Sequence, residues 1–261
     1  MRRVKLWLTF ACLYLGFVHI AFAGPLDDYM RASQQFDEWT QATGSMPRLT
    51  DERGAALLKT LSDTHRFLDD VTFDDAQLPL LMDVCGKANR NVMSYVLFGL
   101  RDHVDKSMPI ATVQQAVLTL VQRNQVTYQD ELSELQPFEV RCLARQTPLM
   151  ARFMDKLKPE ELTSIRRKGI EQTRQGLDNV VLGTLRLATD ESLSMRYRSS
   201  MLKALADSAS ELIPMLTLDE RAKLRTAANG TLDSAPDGLK IYITSIAQNL
   251  TLPTCDGLCR Y

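Results

Sequence analysis

Side chains able to carry chemistry are few in this chain, and their spacing excludes more than it offers. Of three histidines in 261 residues, His19 lies in an apolar N-terminal stretch, which leaves His65 and His103. Neither stands in a reactive arrangement: the sequence holds no H-E-x-x-H zinc helix, no G-x-S-x-G nucleophile elbow and no G-x-x-x-x-G-K phosphate loop. His65 shares a helical stripe with Leu57, Leu58, Leu61 and Leu68, which predicts a residue at the core edge rather than a catalyst. His103 stands beside Arg101 and between Asp102 and Asp105, where a cation at a helix C-terminus would suit the dipole.

Carboxylates are denser. Asp69, Asp70, Asp74 and Asp75 cluster around Val71 and Phe73. As structure, the cluster is a helix end followed by a helix start, with Asp74 and Asp75 near the positive end of the new dipole. As function, it is an acidic ridge bearing an aromatic, able to steer a basic partner and anchor it. Asp69, Asp70, Phe73, Asp74 and Asp75 are therefore the candidate partner-binding residues. Calcium-loop spacing is absent, and no metal or cofactor is expected. Glu191-Ser192 is a pair also found in helical lytic transglycosylases, but the Gly-Leu-Met-Gln type of segment expected downstream is missing. Thr189 to Glu191 accordingly reads as a helix start, and Glu191 is the acid on which a glycan-cleaving alternative would depend. Arg166-Arg167-Lys168 reads as a solvated helical face.

Cysteine usage points to export. Arg2, Arg3 and Lys5 precede an apolar run from Leu6 to Ala23 that ends in Ala21-Phe22-Ala23, the small-x-small pattern of a signal peptidase site. Removing residues 1–23 leaves 238 residues and four cysteines: Cys85, Cys142, Cys255 and Cys259. An even count in an oxidising compartment predicts disulfides. The compact Cys255–Cys259 segment favours a local bridge, leaving Cys85 to Cys142. A zinc site is disfavoured, since neither pair has zinc-finger spacing and only two histidines remain. Without Arg2, Arg3 and Lys5, 28 basic residues face 32 acidic ones, a formal charge of −4. That balance lacks the basic excess demanded by nucleic-acid phosphates.

The elements that must position these groups are helical. Leu239, Tyr242, Ile243, Ile246 and Leu250 share one face, as do Ile110, Val113, Val117, Leu120 and Val121. Thr50-Asp51-Glu52, Lys158-Pro159-Glu160-Glu161 and Thr217-Leu218-Asp219-Glu220 read as helix starts, and Gly44, Gly176 and Gly230 as stops. No sustained period-two alternation is present. The expectation is an all-α fold of ten to twelve helices, either right-handed-solenoid-like or an irregular stack of helical hairpins. Residues 24–250 form its single domain, and 251–261 a tail with the local disulfide. An internal repeat is traceable near residues 71–100 and 126–157. Val71-Thr72-Phe73 matches Val126-Thr127-Tyr128, and an offset of 57 places Val92 on Leu149, Met93 on Met150 and Val96 on Phe153. True repeats would stack into a curved body with a concave binding face. Equivalent positions of stacked repeats, however, usually lie too far apart for a Cys85–Cys142 disulfide.

Methionines 93, 150, 154, 195, 201 and 215 fall at internal-looking positions and read as core filler; a hydrophobic-ligand carrier would need them around a cavity. Asn229-Gly230-Thr231 and Asn249-Leu250-Thr251 match glycan acceptor patterns, without meaning in a bacterial envelope. Taken together, the residues imply an exported, periplasmic protein that works by binding another protein, such as a basic secreted effector or toxin, in the manner of an immunity protein or inhibitor. Neither nucleic acid nor stable membrane insertion after cleavage is expected.

Overall fold

The computed structural model describes residues 24–105, 107–253, 255 and 257–261; the expected signal peptide, residues 1–23, lies outside them. Among the described residues the chain forms ten α-helices and no strand. These are α1 (Pro25–Thr43), α2 (Glu52–Leu61), α3 (Leu78–Val96), α4 (Leu100–His103), α5 (Ile110–Thr127), α6 (Gln129–Asp155), α7 (Ser164–Leu187), α8 (Met195–Leu212), α9 (Leu218–Ser234) and α10 (Asp237–Asn249). A π-turn, His65–Asp69, and a 3₁₀ turn, Asp75–Gln77, join α2 to α3.

Helix α6 is the spine. It packs against α3 on one side and α8 on the other; α1 and α2 lie against the α3 side, while α10, α9 and α7 complete the α8 side. Pro137 and Pro148 stand inside α6, each removing one ladder donor at a cost of about 3 kcal/mol in an isolated helix. Burial on both sides of α6, at Leu132, Leu135, Phe138, Cys142, Ala144 and Leu149, offsets that loss. Aromatic contacts tie the layers together: Tyr29 of α1 stacks on Phe138 of α6 at 4.7 Å, and Phe67 of the π-turn meets Tyr29 edge-on at 5.4 Å.

Several local signals act as the sequence predicts. Asp51 caps α2 by accepting from the Gly54 amide at 2.8 Å. A Cβ on Gly54 would lie 2.6 Å from the Arg48 carbonyl oxygen, so the residue that donates to the cap also has to be glycine. Thr217 and Glu220 form a reciprocal capping box at the start of α9. Gly44 ends α1 in the left-handed region at φ 62°.

Other expectations need correction. Gly176 and Gly230 run through the interiors of α7 and α9, because the flanking residues carry the helix past them. Pro159–Glu161 is a 3₁₀ turn, and α7 starts later, with Thr163 accepting from the Arg166 amide. Residues 190–192 form a turn in which Asp190 accepts from the Ser192 amide and hydroxyl, and α8 begins at Met195 behind the Ser194 cap. On α5 the expected apolar face is covered only in part: Ile110 is 78% exposed, Val113, Val117 and Val121 are half-buried, and Leu120 is fully buried. Met93 and Met195 are likewise exposed, while Met154, Met201 and Met215 are core residues.

Both disulfides form. Cys85 on α3 and Cys142 on α6 have Cα atoms 5.5 Å apart, as do Cys255 and Cys259. The long bridge is possible because α3 and α6 lie side by side, so the stack is irregular rather than a regular solenoid. The repeat offset of 57 has only a partial structural counterpart. Val92 and Leu149 are both buried on helices, but Val96 is buried where Phe153 is exposed, and the earlier match fails too, since residues 71–74 are non-helical whereas 126–127 end α5. The C-terminal tail is docked: Leu258 is buried, and Arg260 and the Tyr261 hydroxyl donate to Asp155 on α6 at 2.8 and 2.6 Å.

Candidate functional site

The acidic cluster lies along α6, and two of its four carboxylates, Asp69 and Asp75, are matched there by cations. Arg141, Arg145, Arg152 and Lys156 follow one another at i, i+4, i+11 and i+15, one face of the helix. Arg141 donates to Asp69 at 2.9 Å and to Glu211 of α8 at 2.6 Å. Arg145 donates to the Leu68 carbonyl from two nitrogens, at 3.0 and 2.9 Å, and to the Asp69 carbonyl at 3.2 Å, satisfying the end of the π-turn. Asp75 accepts from Arg152 at 3.1 Å and from Lys156. Hydrogen bonds from Lys156, then from Arg152, hold the Asp75 carboxyl below the usual carboxylate range. For Arg141, burial opposes the charge, but the hydrogen bonds to Asp69 and Glu211 outweigh it and raise its pKa.

Asp74 is occupied by a cap, accepting from the Gln77 amide while Gln77 accepts from the Asp74 amide. Phe73 is half-buried and packs against the core, so it is a wedge rather than the exposed anchor of the sequence reading. Asp70 points outward, 76% exposed at its side chain, with His65 Nδ1 4.0 Å away. The five sequence-selected residues thus share one segment without forming a continuous bare acidic surface.

What this segment does form, with α6 and α8, is a groove of about 570 Å³. One wall carries His65 and Asp69, the floor carries Arg141 and Arg145, and the opposite wall carries Lys203, Asp207 and Glu211. Lys203 and Asp207 pair at 2.5 Å along α8. Ser208 also lines the groove; it is buried, and its hydroxyl makes no hydrogen bond among the described residues. His65 is 83% exposed at its side chain, correcting its expected place at the core edge. The register changes where α2 stops at Leu61: the π-turn keeps Phe67 and Leu68 inside and turns His65 out.

The remaining candidates lie elsewhere. His103 Nδ1 lies 2.9 Å from the Gly99 carbonyl oxygen, and Nε2 lies 3.2 Å from Arg123 Nη1. These contacts tie the ring to the start of its own short helix and to Arg123 of α5, so His103 is held by local structure. Glu191 is exposed in the turn before α8. Among the described residues no group of three or more His, Cys, Asp or Glu is placed to hold a metal ion, and no helix is long and apolar enough to cross a membrane.

Two acids were missed from sequence. Glu131 is buried and accepts from Arg48 and from the Leu49 amide, each at 3.0 Å, fastening the α1–α2 connection to α6. Glu139 lines a separate cavity between α6 and α7 and has no hydrogen-bond or ion-pair partner among the described residues. Burial raises its carboxyl from the ordinary 4.5 to about 7. Its signal was positional: Glu139 interrupts the apolar run Leu132, Leu135, Cys142 and Leu149 on one face of α6. Comparison with known protein families, with curated proteins and with solved structures finds no match for this chain.

Proposed function

We propose that the mature chain is an exported periplasmic protein that works by binding another protein, as an immunity protein or inhibitor of an envelope-directed toxin. The observation that supports this reading is the groove between the π-turn, α6 and α8. Arg141 is fixed by two carboxylates on opposite walls, so part of the charge pattern is set before a partner arrives and little side-chain freedom is lost on docking. The unpartnered Ser208 hydroxyl gives a polar segment of a partner something to complete. Asp70, next in sequence to the groove residue Asp69 and largely exposed, is a carboxylate left to steer a basic partner.

The glycan-cleaving alternative lacks support from its acid, because Glu191 is exposed in a turn and lines none of the cavities described. A hydrophobic-ligand carrier would need a methionine-lined cavity, whereas the Glu139 cavity is partly polar and has Met201 as its methionine. The test is retention on the immobilised, oxidised mature protein from its own envelope extract, followed by kinetics. The expected result is a secreted enzyme whose activity falls on binding and whose association slows and loses salt dependence with Asp70→Lys. Retention of muropeptide or lipid alone, or unchanged association with Asp70→Lys and Lys203→Glu together, would overturn the reading.

A further inference from the structure

The Glu139 cavity, about 190 Å³ in volume, is walled by α5, α6, α7 and α8. At about 30 Å³ per water it has room for about six waters, or a linear molecule of similar size. Its polar side chains are one carboxyl, three amides and one hydroxyl: Glu139 and Gln136 on α6, Gln125 on α5, and Asn179 and Thr184 on α7. Leu143, Val180 and Leu187 supply apolar wall.

We propose that this cavity binds a primary ammonium group on a short alkyl stem, with Glu139 as its counter-charge and the side-chain carbonyls of Gln125, Gln136 and Asn179 as further acceptors. An ammonium has three donors and no acceptor, which suits a site offering one carboxylate and amide oxygens, while the stem packs on the apolar wall. A guanidinium suits it less, since the planar fork is best matched by a carboxylate presented for bidentate pairing. Calcium would want six to eight oxygens, usually including several carboxylates.

The charge balance inside the cavity points the same way. No basic side chain lines it. The titratable groups facing Glu139 from other elements are Tyr197 of α8, whose hydroxyl donates to Gln136 Oε1 at 2.6 Å, and Tyr29 of α1. Burial pushes both phenols well above their usual range, so they stay neutral, while α7 contributes Asn179 and Thr184 and α5 Gln125, all uncharged. An entering ammonium would therefore be the cavity's only cation, and its arrival favours the ionised carboxyl, so binding releases a proton below neutral pH.

The test titrates n-pentylamine into the intact, disulfide-bonded protein by calorimetry at pH 6 and pH 8, in two buffers of different ionisation enthalpy. The expected result is saturable binding that is tighter at pH 8, proton release at pH 6, and a loss of at least tenfold in affinity in Glu139→Gln. 1-Pentanol, which keeps the stem and lacks the charge, should not compete. Gly183→Leu is a second variant that leaves the carboxyl in place. Gly183 lines the cavity and has nothing within 4 Å of where its Cβ would stand, so leucine should fill the space and abolish binding. Competition by Nα-acetyl-lysine amide would name a partner's lysine as the source of the ammonium, and its failure to compete a free amine. No binding, equal affinity in Glu139→Gln, or equal competition by 1-pentanol would overturn the proposal.

Discussion

Replacing Glu139 by glutamine should flatten the pH dependence of stability, and the size of the effect follows from the environment of this carboxyl. In the unfolded chain it titrates near 4.5, and in the folded protein burial raises this to about 7. A raised carboxyl binds its proton more tightly when folded, so its stabilising contribution is complete below about pH 4.5 and is lost as pH rises through about 7. At 1.36 kcal/mol for each pH unit, the loss is roughly 3 kcal/mol, an upper figure because the cavity is open enough to hydrate the ionised group. Glutamine keeps the shape and cannot ionise. Urea unfolding of the oxidised protein should therefore give similar stabilities for both forms near pH 4.5, and a variant more stable by up to roughly 3 kcal/mol at pH 8.5. In a domain of this size that corresponds to roughly 6 to 12 °C in Tm. A gain that is equal at both pH values, or absent at pH 8.5, would refute the argument that an unpaired, desolvated carboxylate occupies this cavity.

Further predictions concern the spine. Arg141→Ala leaves Asp69 and Glu211 without their shared partner and should cost roughly 1 to 2 kcal/mol, between the values for exposed and buried pairs. Amide hydrogen exchange should then quicken in residues 65–70 before it does elsewhere. Alanine at both Cys85 and Cys142 should lower stability by about 4 kcal/mol through the long loop released, against about 2 kcal/mol for Cys255 and Cys259, as read from denaturant midpoints. Glu131→Ala strips the buried Arg48 contact and the Leu49 amide of their acceptor, and should cost roughly 1 to 3 kcal/mol and raise proteolysis between α1 and α2.

Signals confined to one turn were legible in the sequence. Asp51, Thr217 with Glu220, and Gly44 act within three or four residues, and the helices follow the apolar period that buries Leu239, Ile243, Ile246 and Leu250. The disulfide pairing followed from the nearness of Cys255 to Cys259. Long-range pairing was not legible. The acidic cluster looked bare because Arg141 and Arg152 lie 72 and 77 residues beyond the aspartates they meet, although their common face on α6 could be read from spacing. Periodicity showed that α5 has an apolar face but not what covers it, and Ile110 stayed exposed. His65 was misplaced because a π-turn advances the chain differently from the α-helix assumed. Glu139 passed unnoticed because one acid in an apolar stripe reads as noise until neighbouring helices close around it.

The most direct test of the binding role is crosslinking in the intact envelope from a photoreactive side chain at position 203, on the groove wall, with position 223 on exposed α9 surface as the control. A discrete protein adduct from position 203 that is absent from position 223, and is lost when Asp70→Lys is added, is the predicted result. The same adducts from both positions, or none but glycan and lipid at position 203, would contradict a protein-binding groove.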